Sequence, residues 1–162
     1  MNGIFASIEH WPLSVWAREG NYIYFVALIF HAWGMALLIG GGIVICLRVL
    51  GVGGAAALAK FRGFFPVMWV GAALAIPSGL MLLVAYPAKS FTNPVFAIKF
   101  ACLIIAALLM RRLAHGAFPA AARGEPLPHN SRARAGLALA LWLGGVAAGK
   151  LLLHTYKVLL VG

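Results

Sequence analysis

Four side chains pose the chemical question in this sequence. His31 stands in the middle of LIFHAWGMALL, Lys99 in NPVFAIKFACL, and Lys150 and His154 close together in GKLLLHTYKVLL, each flanked by apolar residues. The acidic residues are Glu9, Glu19 and Glu125, and none lies in those stretches. A cation at the centre of a membrane helix costs about 2.5–3.5 kcal/mol unless something answers it. Either the lysines snorkel to the headgroups, or an anionic group is held between the helices. Haem propionates fit the second reading, and two imidazoles at similar depth on facing helices supply the axial ligands of a b-type haem. The expected metal ligands are therefore His31 and His154, with Lys150 and Lys99 beside the propionates. Gly34, three positions after His31 on the same face, is expected to leave room for a ring edge.

Copper is the competing cofactor. Met35 follows His31 by one turn, Met68, Met81 and Met110 lie in other apolar stretches, and thioether with imidazole suits Cu(I). Those methionines are scattered along the chain and form no Met-x-x-Met or Cys-x-x-Cys cluster, so packing is their ordinary role. A quinone carbonyl is a third ligand that His31, Lys99 or Tyr156 would suit. His115 and His129 have no partner at their level, so one haem is expected and not two. Paired carboxylates, a Ser-His-Asp set and a phosphate-cradling glycine loop are all missing, which points to electron transfer rather than a classical enzyme.

The elements that must position these groups are membrane spans. The chain is 64% hydrophobic and 10% charged, against about 45–50% apolar and about 25% charged in soluble domains. Four stretches, about 22–47, 64–86, 94–110 and 135–156, reach the roughly 20 residues needed to cross a bilayer. The expected fold class is all-α: an integral membrane four-helix bundle, up-down-up-down, forming a single transmembrane domain over 1–162. Residues 4–18 interleave Ile4, Phe5, Ile8, Trp11, Leu13 and Trp16 with polar groups, as a short interfacial helix would. The first twenty residues lack the basic-then-apolar order of a signal peptide. Small residues at Gly34, Gly40–Gly42, Gly71, Ala75, Gly79, Gly145 and Gly149 suit close helix approach. Pro77 beside Ser78 predicts a kink at which the hydroxyl or a neighbour satisfies the freed carbonyl. Cys46 and Cys102 both fall within spans, as buried thiols rather than a disulfide.

Charge gives the direction. The net charge of +10 is concentrated in Arg48, Lys60 and Arg62 around the first connection and Arg111, Arg112, Arg123, Arg132 and Arg134 around the third. The opposite side has only Arg18, Lys89 and Lys157. Positive-inside bias then puts both termini outside, at the periplasmic face of a bacterial inner membrane. No aromatic-interleaved basic groove suggests nucleic acid. The stretch RRLAHGAFPAAARGEPLPHNSRARAG reads as a flexible cytoplasmic loop. At about 1.5 Å per residue, His31 lies about 25 Å from Arg48, Lys150 about 24 Å from Arg134, and His154 about 30 Å from it. All fall in the outer leaflet with Lys99.

Several short motifs also carry a resemblance. FHAWGMALLIGGGIVICLRVLG resembles the first span of a large bacterial family of four-helix integral membrane proteins, marked by L-H-x-x-G and then D-L-R-L-L-G. SGLMLLVAYPAKSFTNPVFAIKF is similar to that family's junction, which contains N-P-x-F-x-x-K, and ALWLGGVAAGK to its closing L-W-x-G-x-x-x-G-R. The resemblance singles out His31, Gly34, Arg48, Asn93, Pro94, Lys99, Trp142 and Gly149. Cys46-Leu47 replaces the family's Asp-Leu, Lys150 its Arg, and His154 stands about where it tends to carry Tyr. A looser likeness links the chain to b561-type cytochromes and to copper-resistance D type membrane proteins, which implies the same two cofactors. The expected function is a membrane b-type cytochrome or cytochrome-like subunit, passing single electrons between quinol and an outer-face redox partner. The alternatives are a copper-handling or transport-associated protein, or a non-catalytic anchor, homo-oligomer or assembly subunit of a larger complex.

Overall fold

Helix signals bracket each apolar run. Gly51 takes φ 96° after Leu50 and lets the Val52 N–H return to the Leu47 carbonyl at 3.0 Å, closing the first span. Asn93 accepts from the Val95 N–H at 2.9 Å, and Pro94 follows at the first helical position, opening the third. The computed structural model describes residues 10–20, 22–53, 58–86 and 93–159; for Arg18 and residues 153–159 it describes the backbone alone. Helix α1 is Pro12–Glu19, α2 Ile23–Leu50, α3 Phe64–Ala85, α4 Pro94–Ala122 and α5 Ser131–Leu159, with a 3-10 helix at Leu58–Gly63 before α3. No strand occurs among the described residues. Helices α2 to α5 are each long and apolar enough to cross a bilayer, so this is an all-α, multi-pass membrane protein.

The packing order is α3–α2–α5–α4, and α3 and α4 do not pack along their lengths. Helix α2 is central because it carries two packing stripes. His31, Gly34 and Gly41 meet α3, while Gly42 and Cys46 meet α5 and α4. Glycine is required at Gly34. A Cβ there would stand 2.5 Å from the Ala75 nitrogen and 2.7 Å from the Gly71 carbonyl, both backbone atoms that cannot move aside. Gly42 likewise takes the indole of Trp142, which is fully buried.

The core lies toward the arginine-rich end, where Ile45, Cys46, Val49, Met110, Leu113, Ala117, Phe118, Ala135, Ala138 and Trp142 are buried together. This corrects two expectations. The helix of the third span does not stop at Met110 but continues to Ala122, and α5 begins at Ser131, so the expected long loop shrinks to 123–130. The cause is a buried stripe at helical spacing, Leu113, Ala117 and Phe118, in an alanine-rich context. Phe118 meets Phe65 edge-on at 5.0 Å, and the 3-10 helix fills the remaining corner.

At the opposite end α1 lies against α3. Ser14 and Ala17 are buried, and the Ser14 hydroxyl donates to the Val84 carbonyl at 2.8 Å. Trp11, Leu13 and Trp16 remain exposed on the other face, the division of an interfacial helix. The apolar residues expected before position 10 lie outside the described residues.

Candidate functional site

His31 is held by α3. Its Nδ1 is 3.0 Å from the Ala75 carbonyl, and a carbonyl can only accept, so Nδ1 carries the proton. In the neutral ring Nε2 then bears the lone pair. Nε2 makes no hydrogen bond to any described residue. Ser78 steadies the arrangement, since its hydroxyl donates to the Leu74 carbonyl at 2.5 Å and lies 3.5 Å from His31 Nδ1. The carbonyl it reaches is thus Leu74 and not Ala73, the one that Pro77 frees. Gly79 completes the seat; a Cβ there would stand 3.0 Å from His31 Cε1.

Lys99 approaches from the other side of the bundle. Its side chain runs across Gly149 of α5, where an added Cβ would stand 3.7 Å from Cε and 3.8 Å from Nζ. It is partly buried, within electrostatic reach of His31, and has no carboxylate partner among the described residues. The structure therefore brings an imidazole with one free nitrogen and an unanswered ammonium into the same half of the bundle, with glycines beside both.

The other expected site residues are arranged differently. Gly34 gives no room for a ring edge, because the α3 backbone occupies that space. Lys150 is exposed, about 100° round α5 from Gly149, the residue that Lys99 crosses. His154 lies on the backbone of α5, but its imidazole, like the side chain of Tyr156, lies outside the described residues. Counted from the Gly42–Trp142 contact, position 31 is about 16 Å and position 154 about 18 Å further along their helices, so the levels agree more closely than the sequence suggested. The register of α5 puts position 154 on the stripe of Leu143, Ala147 and Lys150, which is exposed.

No group of three or more His, Cys, Asp or Glu that could hold a metal occurs among the described residues. The sulfurs of Cys46 and Met110 meet at 3.7 Å, in the packed core away from His31. Met68 packs on Gly41, and Met81 lines an apolar groove between α2 and α3. Sequence reasoning missed the parts that orient His31, namely the Ala75 carbonyl and Gly79. The adjacent Pro77-Ser78 pair was the available signal.

No family model, curated protein or solved structure matches this chain.

Proposed function

We propose that this protein is a b-type cytochrome or cytochrome-like subunit of a bacterial inner membrane, binding one haem b toward the outer face. The observation that carries the reading is the His31 imidazole, fixed through Nδ1–H to the Ala75 carbonyl with Nε2 left as a donor. This is the usual arrangement of a metal-ligating histidine, because a hydrogen bond from the second nitrogen sets the tautomer and raises the basicity of the first. Lys99 supplies the positive charge for a propionate, and Gly79 and Gly149 set no side chain against the His31 ring or the Lys99 amine. Bound haem would supply one-electron chemistry, with quinol as donor and an outer-face protein as acceptor. His31 would anchor it, Lys99 would orient its carboxylate edge, and the surrounding apolar residues would exclude water. His154 is the residue that would supply a second ligand to the haem.

The copper reading is weaker, since the close sulfur pair among the described residues, Cys46 with Met110, sits in the packed core. The test is separate His31→Ala and His154→Ala substitution, with haem content and spin state read from optical spectra. We expect His31→Ala to abolish haem retention and His154→Ala to convert a low-spin spectrum to high-spin. Full low-spin haem in His31→Ala overturns the reading; the same result in His154→Ala removes that residue alone.

A further inference from the structure

We propose that the lipid-facing side of α4, at the arginine-rich end, binds the headgroup of an anionic phospholipid through Arg111, Arg112 and His115. These three residues line a shallow cavity of about 550 Å³, whose remaining walls are Ile105, Leu108 and Leu109. Arg111 lies seventeen positions beyond Pro94, about 25 Å along the helix, close to the roughly 30 Å thickness of bilayer hydrocarbon. The cations thus stand at headgroup level and the apolar wall continues from them into the acyl region. That is the layout of a phospholipid, a phosphodiester joined to hydrocarbon, whereas free phosphate would have no use for Ile105 and Leu108.

Charge complementarity selects an anionic lipid. Arg111 and Arg112 are exposed and form no ion pair with any described residue. The one carboxylate in this part of the sequence, Glu125, is already taken: Arg123 grips it through Nε at 2.7 Å and Nη2 at 2.8 Å. That contact holds the Glu125 carboxyl below its ordinary range. His115 Nδ1 donates to the Arg111 carbonyl at 3.0 Å, which fixes the ring on the wall of the cavity. Arginine suits the role because its planar fork pairs two oxygens of a phosphate at once. Helix α4 is also the least covered of the four spans, so a lipid reaches this face directly.

The experiment is native mass spectrometry of the full chain released from vesicles of equal phosphatidylglycerol and phosphatidylcholine. The wild type is expected to retain phosphatidylglycerol preferentially. R111Q/R112Q should lower that retention about tenfold or more, the effect of losing charge-assisted hydrogen bonds. K60Q/R62Q removes the same charge from exposed residues at the same end and should leave retention within about twofold, since diffuse attraction adds little per residue. Equal losses in the two variants, or no lipid preference in the wild type, would overturn the proposal, as would displacement of the lipid by excess inorganic phosphate. If R111Q/R112Q fails to insert, the single variants R111Q and R112Q replace it, each expected to lower retention, and unchanged retention in both would overturn the proposal.

Discussion

The imidazole of His31 has two ends with different duties, one bonded to the neighbouring helix and one open. A variant that keeps the ring but disturbs its seat separates these duties. Gly79→Ala places a methyl 3.0 Å from His31 Cε1 and 3.2 Å from Nδ1, so the ring must shift. We expect haem to remain in that variant with an altered spectrum and weaker affinity, measured by titration. Lys99→Gln should weaken haem binding by about tenfold or more, since a hydrogen bond to a charged group is worth about 1.5–3 kcal/mol. Lys150→Gln should change it by less than about twofold, because an exposed ion pair contributes little. If the two lysine variants behave alike, Lys99 has no special place. At this scale depth was legible in the sequence, because helical rise fixes it. Facing was not: Lys150 and Lys99 are equally apolar in context, and only the packing order shows which one crosses a neighbouring helix.

Among the helices, the glycines of α2 are chemically alike in sequence and different in place. Gly34 is pressed on the α3 backbone and Gly42 on the Trp142 indole, while a Cβ at Gly40 would meet nothing within 4 Å. Gly34→Ala is expected to destabilise the bundle by about 1–3 kcal/mol through overpacking. Gly40→Ala should be neutral or stabilising by up to about 1 kcal/mol, since alanine orders a helix at lower entropy. Thermal or SDS-induced unfolding in one detergent checks both, and a Gly34→Ala protein as stable as Gly40→Ala would refute the packing. The spans themselves were legible because length and hydropathy suffice for them. Their faces were not, because α2 is apolar all round and periodicity gives no contrast. The continuation of α4 was hidden for the opposite reason: Arg111, Arg112, His115 and Pro119 masked the buried Leu113, Ala117 and Phe118.

For the whole molecule, the buried core of the described residues lies at the arginine-rich end, and positive-inside bias predicts that this end faces the cytoplasm. We expect an impermeant maleimide added from outside to label Trp11→Cys and to spare Asn130→Cys; the reverse pattern would invert the topology. Helices α3 and α4 do not pack along their lengths, and the proposed haem is the ligand that would bring His31 and Lys99 to a common partner. Pyridine haemochrome analysis of the purified wild-type protein, produced with haem precursor supplied, reads that ligand without any substitution. The expected result is one haem b per chain, with a Soret band and sharp reduced α and β bands. A protein that is folded and monodisperse, yet carries no haem and takes none up from added haemin, would contradict it.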